Sequence, residues 1–197
     1  MARRLLVSLV VLVAALLVLD RVGVWAAQRD VAKRLQAEAH TSTAPQVTIH
    51  GFPFLTQLVS GTFGHVDIAM HDVQAGDMEI SRLTIQVHDA HVSIGDVIRQ
   101  SNTKIHVKRA TAQLLLTYDD IAHALPAQIR SRVPELVRSL VRTASVTAAD
   151  TISIGTQFGV LPIQLPGLPF GIRLTGAKAT QAGIVVDGAA QGLVLPT

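Results

Sequence analysis

Asp77-Met78-Glu79-Ile80-Ser81-Arg82-Leu83-Thr84-Ile85-Gln86-Val87-His88-Asp89-Ala90-His91-Val92-Ser93-Ile94 carries its apolar side chains in alternation, but the phase changes twice. Met78 and Ile80 are followed by Leu83, Ile85 and Val87 in the opposite phase, and Ala90, Val92 and Ile94 return to the first. Alternation at period two marks a strand with one buried face. Such a strand keeps one face on the core through a phase change only by bending there, at a bulge or short turn. The stretch therefore predicts a long, twice-bent strand in a curved antiparallel sheet. Lys104 to Thr117 repeats the device, with Ile105 and Val107 followed by Ala110, Ala112, Leu114 and Leu116 one step displaced. A sheet bent in this way wraps something apolar.

The neighbouring segments extend the pattern. Val47 and Ile49 alternate with Gln46, Thr48 and His50, and Gly61 to Asp72 sets Val66, Ile68 and Met70 against His65, Asp67, Ala69 and His71. Between these two predicted strands lies His50-Gly51-Phe52-Pro53-Phe54-Leu55-Thr56-Gln57-Leu58. Pro53 fixes its own φ and extends Phe52, and Gly51 permits a sharp entry, so Phe52 and Phe54 are expected to form a fixed apolar wedge. Gly167-Leu168-Pro169-Phe170 is a near copy, and the two turns are expected to lie side by side along one lipid-sized cavity.

Further along, Gly95 to Gln100 suits a short helix, and Asp119 and Asp120 can cap a helix reaching Leu125. Residues 129–142 carry Ile129, Val133, Leu136, Val137, Leu140 and Val141 at amphipathic-helix spacing, with Arg130, Arg138 and Arg142 on a flanking row. That segment fits a core helix with a solvated edge, or a basic helix touching anionic headgroups. After Asp150, Ile152 with Ile154, Leu161 with Ile163 and Leu165, and Ile172 with Leu174 alternate as strands. Gln181-Ala182-Gly183 turns the chain into Ile184-Val185-Val186, and Leu193-Val194-Leu195 follows. The fold class is α+β, with a mostly antiparallel sheet.

At the amino terminus Arg3 and Arg4 precede an apolar run from Leu5 to Leu19, the layout of a secretory signal. That run as a helix rises about 22 Å, short of a ~30 Å hydrocarbon core. Trp25 stands at interface depth, yet Val24-Trp25-Ala26 also offers a small-residue cleavage site. An uncleaved signal anchor and a cleaved signal both fit. Residues 1–27 are taken as the targeting segment and 28–197 as one domain, outside the cytoplasm in either case. Val31, Ala32, Leu35 and Ala39 give a narrow apolar helix stripe over Gln28–Ala39, which Thr41 to Pro45 should stop.

Composition narrows the function classes. The chain has no cysteine, which excludes disulfides, thiolate metal sites, a cysteine nucleophile and an acylated lipoprotein cysteine. The pI near 9.8 suggests nucleic acid only until the charges are located. Two of the 17 basic residues, Arg3 and Arg4, precede the apolar run of the targeting segment, and the remaining 15 nearly balance the 14 acidic ones. The local excess sits within residues 104–142, in a chain with one Trp and one Tyr and so no stacking platform, which argues against nucleic acid and for anionic lipid. His65, Asp67 and His71 share a strand face, and His88, Asp89 and His91 cluster nearby. Without a metal-binding spacing such as HExxH they read as solvated sheet-face residues, and no metal or cofactor is expected. No nucleophile elbow or phosphate-cradling glycine loop is present, so no catalytic residue is assigned.

Three stretches carry a family resemblance: His50 to Leu58, then Val66-Asp67-Ile68, then Leu168-Pro169-Phe170-Gly171-Ile172-Arg173-Leu174-Thr175-Gly176 with Gly183-Ile184-Val185-Val186. Together they resemble the LmeA-like family of actinobacterial cell-envelope proteins, over roughly residues 25 to 195. The resemblance implies a phospholipid-binding protein of the envelope, linked to lipoglycan assembly, with a curved sheet around helices similar to TULIP-like modules. It transfers no catalytic residue. Phe52, Phe54, Leu55, Leu58, Phe63, Phe158, Leu168, Phe170 and Ile172 are the candidate lipid-binding residues, with core packing the competing reading for each. Arg130, Arg138 and Arg142 are the headgroup candidates. The expected protein is a non-enzymatic, periplasmic lipid binder, anchored or released, whose partners are phospholipid and the membrane surface. The alternative is a scaffold for an envelope glycosyltransferase, with the apolar wedge as a protein interface.

Overall fold

Long antiparallel ladders carry most of the described chain, as the alternating apolar positions require. The computed structural model describes residues 2–39, 43–75, 78–93, 104–123, 141–148, 151–156, 159–164 and 171–196. Its helices are α1 (Ala2–Ala39), α2 (Phe54–Ser60) and α3 (Tyr118–His123). Its strands are β1 (Gln46–His50), β2 (Thr62–Ala75), β3 (Met78–Val92), β4 (Lys104–Thr117), β5 (Val141–Ala148), β6 (Thr151–Thr156), β7 (Gly159–Gln164), β8 (Arg173–Ala179) and β9 (Gly183–Pro196). One sheet runs β1-β2-β3-β4-β9-β8 and a second runs β5-β6-β7, every pairing antiparallel. The class is α+β, as the sequence predicts.

The second phase change in β3 belongs to a row that crosses four strands. The ladders skip Gly64 of β2, Asp89 of β3, Lys108 of β4 and Gly192 of β9, and the pairs on either side keep one register, which places these four positions in line across the sheet. At this row each strand turns two consecutive residues outward: Gly64-His65, His88-Asp89, Lys108-Arg109 and Gln191-Gly192. The inward positions therefore step by three, from Phe63 to Val66, Val87 to Ala90, Val107 to Ala110, and Ala190 to Leu193. Asp89 and Gly192 both take the left-handed conformation, at φ 52° and 63°. The row is a crease in the sheet, bridged on its outer side by Lys108 and Asp89 at 3.6 Å. The first phase change, at Ser81 and Arg82, is more local. It is met on β2 at Asp72, φ 53°, where the inward positions step from Met70 to Val73.

Beside that local kink, α3 is held by its own start. Thr117 Oγ1 accepts the Asp120 N–H at 3.2 Å while Asp120 Oδ2 accepts the Thr117 N–H at 2.8 Å, a reciprocal cap. The same carboxylate oxygen accepts the Ser81 hydroxyl at 2.6 Å and the Ser81 N–H at 3.3 Å. The capping residue is thus Thr117. Asp119 and Asp120 occupy the first turn, a correction to the expected aspartate cap, and from there Asp120 reaches back to both Thr117 and β3.

The amino-terminal helix also departs from expectation. Residues 2–39 form one continuous helix, about 57 Å long, where an apolar run and a separate helix over 28–39 were expected. Asp20 does not end the run, because its carboxylate is buried and accepts the Leu55 N–H of α2 at 2.8 Å. Gly23 lets the Phe54 ring come close: a Cβ there would stand 3.4 Å from it. The apolar wedge is corrected as well. Only Phe52 stays exposed, at 57%, with the Arg21 guanidinium 5.2 Å from its ring centre. Phe54, 2% exposed, begins α2 and packs inward toward α1 and Phe63.

The far half of the large sheet forms the solid core. Ile80, Leu83, Leu114, Leu116, Ile184 and Val186 are buried there in one cluster with Ile152 and Ile154 of β6. Gly183 closes the turn into β9 with φ 147°, where any Cβ would collide with the Leu116 carbonyl. Pro162 sits in β7, an edge strand, where the missing N–H costs least. The amphipathic helix expected over 129–142 does not reach its predicted end, since Val141 and Arg142 already belong to β5. The run from Val141 to Ala148 is rich in β-branched Val and Thr and pairs with β6. Residues 129–140 and the short helix expected over 95–100 lie outside the described residues.

Candidate functional site: an apolar cavity beside the amino-terminal helix

The near half of the sheet is not filled by side chains. A partly open cavity of about 290 Å³ lies between its inner face, α1 and α2. Ala27, Val31 and Leu35 supply the α1 wall, one turn apart along a single helix face, and Phe54 and Leu58 supply the α2 wall. Val47 and Ile49 come from β1, and the rest of the lining comes from inward positions of β2, β3, β4 and β9. The lining straddles the crease: Phe63 and Val66, Val87 and Ala90, and Val107 and Ala110 all face it from either side.

Among the described residues, every one that lines the cavity is apolar. None of those described side chains can hold a metal, orient a polar substrate or move a proton. The site can take hydrocarbon, whose transfer from water is worth about 0.8 kcal/mol per methylene. Its size lies at the low end of ligand pockets, which run from about 300 to 1,000 Å³. Leu58 lines the cavity yet is 40% exposed, so it marks a place where the cavity wall meets the outside.

Of the candidate residues, the structure brings Phe54, Leu58 and Phe63 together in the cavity wall. Phe52 lies outside it, in solvent against Arg21. Leu55 is half-buried on α2, close to Gly23, and Ile172 is buried against Gly188 at the start of β8. Phe158, Leu168, Phe170, Arg130 and Arg138 lie outside the described residues, as does the expected meeting of the two Pro-Phe turns. Arg142 is described only as part of the β5 backbone. Apart from Phe63, the sheet residues were missed as cavity-facing, and so was the α1 wall. The signal was available in the Val31 and Leu35 stripe and in the three-residue inward steps, but those positions read equally well as ordinary core.

A family model of LmeA-like phospholipid-binding proteins matches residues 18–189. That match begins inside α1, two residues before Asp20, and so takes in the α1 wall of the cavity. No curated protein and no solved structure matches the chain.

Proposed function

Because the chain belongs to the LmeA-like phospholipid-binding family, we propose that the cavity between α1 and the creased sheet holds phospholipid acyl chain. The observation that carries this reading is a lining that is apolar at every described residue, built jointly by the sheet and the helix that would leave the membrane. The cavity takes part of the lipid, and the headgroup stays at the mouth.

We further propose that α1 is an uncleaved signal anchor. Arg3 to Ala37 is long and apolar enough to cross a membrane, and the large side chains of the Leu5–Leu19 run are exposed wherever they are described. Cleavage near Ala26 would remove Asp20 and Gly23, which hold α2, so the contacts across that junction favour retention. With Arg3 and Arg4 on the cytoplasmic side, the sheet stands outside the membrane. Asp20 immediately follows the apolar run, which sets α2 at the bilayer surface. There Phe52 and Val59, 57% and 82% exposed, can enter the interface, and Leu58 continues from that surface into the cavity. Lipid then passes from the bilayer along α2 without crossing water.

On this reading the protein is a non-catalytic lipid binder that serves envelope lipid or lipoglycan assembly. The test is purification of the full chain in mild detergent followed by lipid mass spectrometry and binding to anionic liposomes. Co-purifying phospholipid supports the reading. Absence of both bound lipid and liposome binding would sink it. The exposed Phe52 and Val59 favour one competing reading, a scaffold that seats an envelope glycosyltransferase on this patch. Retention of such an enzyme in a pull-down by a variant that has lost lipid would favour the scaffold.

A further inference from the structure

The outer face of the large sheet, opposite the cavity, carries a cluster that the lipid reading does not use. β1 and β2 pair with His50 opposite His65 and Thr48 opposite Asp67. Ile49 and Val66 face the cavity, so His50, His65 and Asp67 project together from the other side. His50 Nε2 stands 2.8 Å from Asp67 Oδ2, and His65 Nε2 stands 2.9 Å from Asp67 Oδ1. One donor atom from each of the three residues falls within 4.8 Å of the others.

Two details separate this cluster from an ordinary solvated network. Asp67 Oδ1 is shielded from solvent and accepts no hydrogen bond, although His65 Nε2 is so near. The ring nitrogen is therefore close to the oxygen but not aimed along a hydrogen bond. Ligand atoms of one ion show that relation, since they point at a shared centre and not at each other. The other ring nitrogen of His65, Nδ1, lies 3.1 Å from His88 Nδ1 on β3, and the two rings are 4.5 Å apart. An Nδ1–H donated from His65 to His88 leaves His65 Nε2 with a free lone pair, the tautomer that a metal takes, oriented by its neighbour.

We propose that His50, His65 and Asp67 form a site for one divalent transition-metal ion of the zinc class, with His88 as a positioning residue. Two imidazoles and a carboxylate suit zinc, at about 2.0–2.2 Å from each donor, and leave a position for water. Two ligands of one tetrahedral ion stand about 3.3–3.6 Å apart at such distances, so side-chain rotations that draw the donor atoms together by about an ångström complete the site. The ion fastens β1, the edge strand, to β2 and β3 through its ligands and their neighbour. Val47 and Ile49 line the cavity from the opposite face of β1, so the same ion braces that wall.

The test uses the full chain in detergent micelles, without a histidine tag, stripped with a chelator and titrated with zinc chloride by calorimetry. One zinc per chain is expected. Asp67→Asn and His50→Ala should each weaken binding at least about tenfold, and His88→Ala by about 10- to 100-fold. His71→Ala, on the same strand but outside the cluster, should bind as the wild type does. Cobalt(II) added to the wild type gives a reading that needs no variant, through the visible bands of a low-coordinate nitrogen and oxygen site. No zinc uptake by the wild type, no such cobalt bands, equal affinity in Asp67→Asn, or an equal loss in His71→Ala would each overturn the proposal.

Discussion

The Asp20 carboxylate accepts the backbone N–H of Leu55 at 2.8 Å, across 35 positions of sequence, and by that bond α1 holds the start of α2. Asp20 is 2% exposed and its second oxygen has no hydrogen-bond partner. The useful property is the acceptor and not the charge. Asp20→Asn keeps an acceptor and removes a buried charge, so it should leave the junction intact. Asp20→Ala strands the Leu55 amide and should cost about 1–3 kcal/mol. Hydrogen exchange at Leu55 and thermal unfolding in detergent would check both, and an Ala variant as protected as Asn would contradict the assignment.

One turn further along α1, Gly23 makes room for the Phe54 ring. A Cβ at 3.4 Å is tight but tolerable, so Gly23→Ala should be mild. Gly23→Leu must push Phe54 out of the cavity wall, at a cost of about 1–3 kcal/mol. Stability of the two variants should diverge accordingly, and bound lipid should fall in the larger one alone.

These two contacts also mark where the sequence stopped being legible. The sheet was readable because a strand's inward face is written at period two, and each crease step on β3 and β4 appears as a broken alternation. The continuity of α1 was not, because Asp20 and Arg21 read as the polar end of a membrane run until Leu55 supplies a partner from beyond β1. Phe54 looked like half of an extended wedge because a Phe-Pro-Phe string does not reveal that the next residues coil against Gly23. The His50, His65 and Asp67 cluster depends on strand register. A face count along β2 alone groups His65 and Asp67 with His71, whereas pairing with β1 brings in His50 instead.

The cavity and the solid core should respond oppositely to substitution. Ala110 is buried and lines the cavity, so Ala110→Phe places a ring in empty space. Displacing two methylenes of bound chain removes about 1.6 kcal/mol, more than tenfold in lipid affinity. The thermal midpoint of the lipid-free protein should hold or rise. Leu114, fully buried among close-packed neighbours in the far half, gives the contrast. Leu114→Ala should cost about 2–5 kcal/mol with lipid per folded chain unchanged. Both quantities can be read on the same preparations by thermal unfolding and lipid mass spectrometry. If Ala110→Phe retains full lipid, the hydrocarbon lies elsewhere.

Phe52 and Val59 test the route by which lipid arrives. Both are exposed beside the junction of α1 and α2, so replacing either by Asp should change folding stability by only about 0.5 kcal/mol. With α1 as the proposed anchor left intact, membrane attachment should also persist. What changes is the local contact of α2 with the interface. Burial of one such side chain is worth about 1.5 kcal/mol or more, which corresponds to roughly tenfold in the population of the docked state. Uptake of a fluorescent phospholipid from vesicles carrying the full-length chain should therefore slow by about that factor in Val59→Asp. The double variant Phe52→Asp with Val59→Asp should slow further, while lipid already bound is kept. Unchanged uptake in the double variant would mean that lipid enters the cavity without contact between α2 and the bilayer.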